Sequence, residues 1–258
     1  MKPYMKKFWE TVVPPSAWKM LLRTARQLVP ANYNMQHGLP SMAWSVGNLK
    51  KLGYHPSTII DVGAYQGNWT KEMQPIFPEA NFLLIEPQPE RAAVLSVLAK
   101  QSPKVYFESA LAGATDDAET AFNVLKTGSS VYAQRYKAEE LTPETITLPI
   151  RTLDTLVKKN ALPGNYFIKL DVQGYEPEVL KGATEVLKDT EVVLLEACLL
   201  NYLDNAPLLP EVMAFMRERH FLPFDICELY RKNDDGVLAF LDMIFIKENS
   251  SIRERVNY

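Results

Sequence analysis

The sequence predicts an α/β fold, a mostly parallel sheet with helices on both faces. Three observations predict it. From Ser57 onward, apolar runs alternate with helical patterns. This puts strands near 58–61, 82–86, 104–108, 166–171 and 191–196, and helices near 69–77, 89–100, 176–188 and 207–219. Thr58, Ile59 and Ile60 are β-branched, which suits a strand packed on both faces. Asp61, Glu86, Ser109, Asp171 and Glu196 all fall at predicted strand ends, the edge where parallel sheets bind ligands.

Taken in order, residues 1–30 place Phe8, Trp9, Val12, Val13, Trp18 and several leucines among Lys and Arg, and Pro14-Pro15 divides them into two helices. Residues 1–60 carry eight Lys or Arg and one acid, Glu10; they net +7 and leave −10 for the remainder of a chain of net charge −3. Such a basic arm suits peripheral contact with an anionic membrane, packing on the body or a second subunit of a homo-oligomer, and the sequence leaves these open. The overall charge speaks against a nucleic-acid partner. Pro30 to Pro40 reads as a linker. Ser41 is placed to cap a helix through Leu52 that Gly53 ends.

Residues 110–150 interrupt the alternation. Strands are expected over 120–125 and 145–150 with Gly128-Ser-Ser130 between them, an insertion placed to shape the acceptor pocket. The tail, about 222–246, reads as two strands around Asn233-Asp-Asp-Gly236. The domain expected is therefore 41–250, with an extension before it and a short tail over 251–258. Cys198 and Cys227 sit in apolar runs and read as buried free thiols. No run approaches a membrane-spanning length, and the N-terminus lacks the apolar core and cleavage site of a secretory signal, so a cytoplasmic protein is expected.

The chemistry centres on Ser57-Thr-Ile-Ile-Asp-Val-Gly-Ala-Tyr-Gln-Gly-Asn68. A strand ends in Asp61, Gly63 and Gly67 bracket a turn, and a helix starts near Asn68. A dinucleotide fingerprint would carry G-x-G-x-x-G for a pyrophosphate. Here a carboxylate stands at the turn and would repel phosphate while attracting an ammonium group. Glu86, after Phe82-Leu-Leu-Ile85, is placed to bind both hydroxyls of a ribose. A nucleoside with an amino-acid head and no phosphate is indicated, and S-adenosylmethionine fits. The plainer reading is an ordinary α/β turn with a capping acid.

Ile59-Ile-Asp-Val-Gly-Ala-Tyr-Gln-Gly67, Leu84-Ile-Glu-Pro87, Ile150-Arg-Thr-Leu-Asp-Thr-Leu156 and above all Phe167-Ile-Lys-Leu-Asp-Val-Gln-Gly-Tyr-Glu-Pro-Glu-Val-Leu-Lys-Gly-Ala183 resemble the FkbM-type S-adenosylmethionine-dependent methyltransferases. The resemblance runs from about Ser41 to Ile246. It implies the seven-stranded class I (Rossmann-like) fold with an antiparallel final strand, and methyl transfer to a hydroxyl of a sugar, glycan or other natural-product small molecule. By matching position, Asp61, Gly63, Ala64 and Gly67 form the cofactor loop, with Tyr65 inside it near the amino-acid end. Glu86, followed by Pro87, holds the ribose, Ser109 and Ala110 lie near the adenine, and Asp171 faces the methyl end. Position 173 is often Glu in that family and is Gln here, which makes it a poor general base.

An alcohol must lose its proton as it is methylated, to a positioned carboxylate or through a divalent metal. Asp171 is the first candidate for that base and Glu196 the second. Both have oxygen donors suited to magnesium, but two carboxylates do not make a metal site. Glu176 is placed either to face the site or to cap a helix, and Lys169 to pair an acid. His37, His55 and His220 fall outside these motifs, and Trp69, Phe77 and Phe82 read as core. Two rivals remain: a nicotinamide oxidoreductase on a Rossmann sheet, opposed by Asp61 and the missing fingerprint, and a non-catalytic scaffold of the same fold, opposed by the polar residues kept at the strand ends.

Overall fold

A computed structural model describes residues 40–125, 128–135, 144–232 and 235–254. The expected N-terminal helices and linker lie outside the described residues, as do Asn233 and Asp234 of the tail turn. Contacts divide the chain at Pro40, and everything below concerns the unit that begins at Ser41.

The strands are β1 (Thr58–Val62), β2 (Asn81–Ile85), β3 (Val105–Glu108), β4 (Leu111–Ala112), β5 (Glu119–Val124), β6 (Glu144–Arg151), β7 (Tyr166–Leu170), β8 (Thr190–Cys198), β9 (Phe221–Arg231) and β10 (Leu238–Lys247). The helices are α1 (Met42–Lys51), α2 (Asn68–Met73), α3 (Pro89–Gln101), α4 (Leu153–Lys159), α5 (Glu176–Lys181), α6 (Leu209–Glu218) and α7 (Ser251–Glu254). Seven strands form one sheet in the order β3-β2-β1-β7-β8-β10-β9. β10 runs antiparallel to both of its neighbours, while β1, β2, β3, β7 and β8 pair in parallel. The antiparallel final strand is the one the family resemblance implies.

Alternation along each strand divides the core in two. Ile60, Val62, Leu83, Ile85, Ile168 and Leu170 face one way, onto Leu153, Leu156, Val179, Leu180, Val212 and Met216 of α4, α5 and α6. Ile59, Phe82, Leu84, Phe167 and Leu194 face the other, onto Val46, Leu49, Met73, Leu95 and Leu98 of α1, α2 and α3. Each fully buried large side chain contributes about 1.5–3 kcal/mol. Phe167, edge-on to Trp69 and Phe77, anchors the second layer, and Phe82 is buried in it.

Three local expectations are corrected. The helix expected over 69–77 stops at Met73 because Pro75 cannot continue it. The helix expected over 176–188 breaks into α5 and a 3₁₀ turn, Val186–Asp189. At the break a Cβ on Gly182 would lie 2.0 Å from the Gly113 carbonyl oxygen, and Asp154 takes the free Glu185 and Val186 N–H groups. Ser41 stands at the start of α1 without a side-chain cap; its carbonyl accepts from Ser45 N. Gly53 at φ 91 does end that helix.

β4, β6 and β5 form a second sheet, in that order, around Leu111, Phe122 and Ile150. Segment 128–135 is tied to the loop after β8, with Arg135 N donating to Tyr202 O, Asp204 N to Ala133 O, and Arg135 Nε lying 2.7 Å from Asp204 Oδ1. Both cysteines are buried and free. No helix among the described residues is long and apolar enough to cross a membrane.

Candidate active site

The carboxyl ends of β1, β2 and β7 meet at a cleft whose wall includes Val62, Gly63, Ile85, Glu86, Asp171 and Val172. Gly63 (φ 74), Tyr65 (φ 49) and Gly67 (φ 71) are all left-handed, so the chain after β1 curls tightly. Gly63 N and Ala64 N both donate to Ile85 O, which fastens the curl to the end of β2. A Cβ on Gly63 would lie 2.0 Å from the Asp171 carbonyl oxygen, so this glycine lets the turn pass against β7. Gly67 serves packing, since a Cβ there would meet Leu98 at 2.7 Å and Leu95 at 3.2 Å.

Glu86 lines the cleft and is almost fully buried. Its Oε2 accepts from Tyr65 N at 2.8 Å and its Oε1 from Gln88 N at 3.0 Å. Burial raises its pKa, and the Gln88 and Tyr65 N–H groups pull back against that shift. Each oxygen still has a lone pair for a ligand hydroxyl. Gln88 also lines the cleft, and its buried Oε1 has no hydrogen-bond partner. That acceptor is open to a ligand donor. The Arg91 guanidinium covers the Tyr65 ring at 4.2 Å.

Asp61 is fully buried beneath the turn and is not part of the cleft lining. Thr70 Oγ1 donates to its Oδ2 at 2.7 Å. Lys169 Nζ lies 3.0 Å from its Oδ1, at a distance but not an angle suited to a hydrogen bond, so that oxygen is satisfied as an ion pair. The ammonium that Asp61 attracts is thus the protein's own. Burial alone would lower the Lys169 pKa; Asp61 first and Asp171 second reverse that and raise it. Lys169 pairs an acid, as the sequence predicts.

Asp171 follows β7 and opens onto the cleft, with Lys169 Nζ 3.8 Å from its Oδ2. Gln173 Nε2 donates to Asp171 Oδ1 at 3.1 Å and to Glu196 Oε1 at 3.0 Å. Glu196 is buried behind Gln173, and its carboxyl is pushed up by burial first and by Asp171 next. Glu176 caps the turn, its Oε1 accepting from Val172 N and Gly174 N. Among the described residues no group of three or more His, Cys, Asp or Glu is placed to hold a metal ion.

Of the residues read from sequence, the cleft brings together Gly63, Tyr65, Glu86, Pro87, Ala110 and Asp171. Asp61, Ala64, Gly67 and Glu196 stand behind its wall, and Ser109 is exposed and outside the lining. Sequence reasoning missed Gln88, whose proximity to Glu86 was the available signal, and Phe122, Val131 and Tyr175, which arrive from the insertion and α5 side with no local signature. His55 and His220 are exposed.

Seven strands with only the last antiparallel, and a cleft at the ends of β1, β2 and β7, are the arrangement of the class I methyltransferase fold. The chain matches the Methyltransferase FkbM domain over residues 61–223 and belongs to that family. A search of curated proteins returned no match. Among solved structures, the chain is similar to a precorrin-6y C5,15-methyltransferase from Geobacter metallireducens (13% identity, 80% of this chain and 85% of that one, TM-score 0.42). It is also similar to a 1,6-didemethyltoxoflavin-N1-methyltransferase from Burkholderia thailandensis with bound 1,6-didemethyltoxoflavin and S-adenosylhomocysteine (14%, 91% of each chain, TM-score 0.40). A third is magnesium protoporphyrin IX methyltransferase from Synechocystis with bound SAM (7%, 80% and 77%, TM-score 0.41).

Proposed function

We propose that the chain binds S-adenosylmethionine in the Gly63–Glu86 cleft and methylates a hydroxyl of a sugar, glycan or natural-product small molecule. The cleft fits that cofactor: Glu86 offers acceptors for two ribose hydroxyls, Gln88 Oε1 lacks a donor, and Asp171 puts a carboxylate where a sulfonium is favoured. When bound, S-adenosylmethionine supplies the methyl electrophile and leaves as the neutral thioether. The chain's own work is orientation and proton removal. The observation that carries the hydroxyl reading is Asp171, half-exposed at the cleft, backed by Lys169 and held by Gln173. It is placed to accept the hydroxyl proton as the oxygen–carbon bond forms. Phe122, Ser129, Val131 and Tyr175 would shape the acceptor side.

The test is a screen of hydroxyl acceptors with labelled cofactor, read by mass for the gain of one methylene. Asp171→Asn keeps the shape and removes the base, so turnover should fall by about 10²–10⁴-fold with cofactor affinity little changed. Products methylated only on nitrogen or carbon, or tight NAD binding, would sink this reading.

A further inference from the structure

Gln173 adopts a left-handed backbone (φ 55) and is followed by Gly174 at φ 89. A non-glycine residue in that region carries strain and is held by its surroundings. Here the holding contacts are specific. Both hydrogens of the carboxamide are used, one on Asp171 Oδ1 and one on Glu196 Oε1. The amide N–H groups donate and the two carboxyl oxygens accept. The Gln173 main-chain carbonyl accepts from Ser130 Oγ at 2.8 Å, and Ser130 Oγ itself accepts from Tyr132 N. One residue therefore joins two carboxylates at the end of the main sheet to the inserted segment.

The surroundings make that donor necessary. Lys169 is the cation of the cluster, and it is shared between Asp61 of β1 and Asp171. Against it stand Glu176 of α5 and Asp242 of β10, the cross-strand partner of Glu196, with Glu228 and Tyr230 of β9 beyond. Burial together with Asp171 pushes both Glu176 and Asp242 up to about 7. Without an N–H between them, the Asp171 and Glu196 oxygens would face each other as acceptors with no shared donor.

We propose that Gln173 is a positioning residue for methyl transfer: its carboxamide holds the Asp171 and Glu196 carboxyl groups side by side, and its main-chain carbonyl fixes that arrangement to the insertion through Ser130. The proposal rests on Asp171 as the group that takes the acceptor's proton. It predicts that the clamp acts on the acids and not on cofactor binding.

The test uses the full chain with S-adenosylhomocysteine bound and carbon-13 labelled carboxyl groups, with the Glu196 signal assigned through E196Q. Gln173→Met keeps the length and removes both donors. Gln173→Asn tolerates the left-handed backbone but is a methylene too short to span both acids, so it decides the matter if Gln173→Met does not fold. In each variant the Glu196 midpoint should rise by about one unit or more, since a hydrogen bond to its charged form is lost. Affinity for S-adenosylhomocysteine should stay at the wild-type value by calorimetry, while kcat falls and the KM for the cofactor is unchanged. An unmoved Glu196 midpoint in a folded variant overturns the proposal, and so does a loss of S-adenosylhomocysteine binding without that shift. The titration needs no acceptor: a screen yielding only N-methyl products would remove the hydroxyl reading and leave this midpoint as it is.

Discussion

Glu176 begins α5 with its carboxylate folded back under the turn it caps, out of contact with water. Burial is the main cause of its raised pKa, about 7 against an ordinary 4.5, and Asp171 adds to it while the Val172 and Gly174 N–H groups oppose it. The sign follows. The native chain binds this proton more tightly than the unfolded chain, so stability from this group is fully present below about 4.5 and is lost as pH rises through about 7. Glu176→Gln keeps an acceptor for the two N–H groups and cannot ionise. It should gain on the order of 1–3 kcal/mol over wild type at pH 8 and little at pH 4.5. Urea denaturation at both values checks this, and two parallel stability–pH curves would contradict it. From sequence alone Glu176 could be assigned to capping or to the site; only burial, which depends on what folds over it, separates the two.

The turn between β1 and α2 shows how two glycines of one motif differ. Gly63 meets the backbone oxygen of Asp171, which cannot move without displacing the end of β7, while Gly67 meets the tip of Leu98, which can turn aside. Gly63→Ala should therefore cost more than about 3 kcal/mol, combining the left-handed penalty of about 1–2 kcal/mol with a backbone clash. Gly67→Ala should cost less, and cofactor affinity should survive in it. Thermal unfolding with calorimetry on both variants tests the order; equal losses would refute it. The strands were legible because apolar runs bounded by turn residues allow few alternatives, as in Thr58–Val62 and Tyr166–Leu170. The break after Lys181 was not legible. Val179, Leu180, Ala183, Val186 and Leu187 keep helical spacing across it, and the cause lies in Gly113 and Asp154, which are distant in sequence.

At the scale of the molecule, the sheet from β3 to β9 and both its helical layers are complete in residues after Ser41. We expect a chain starting at Ser41 to fold and bind S-adenosylmethionine with the affinity of the full chain, as calorimetry would show. Loss of cofactor binding in a folded protein would contradict this, while losses confined to liposome binding or to subunit association would assign the basic arm its role. The sequence by itself determined the fold class, the strands of the main sheet, and the placement of Gly63, Glu86 and Asp171 at one edge of it. Those are set by local patterns, the two-residue alternation of strands and the backbone needs of turns, which are written in neighbouring positions. Only the tertiary structure decided which polar groups face the cleft and which face each other. Asp61 pairs with the Lys169 ammonium directly across from it on the adjacent strand, and Gln173 joins Asp171 to Glu196 because β7 and β8 are neighbours in the sheet. Such pairings depend on strand order and register, and no spacing along the chain encodes them.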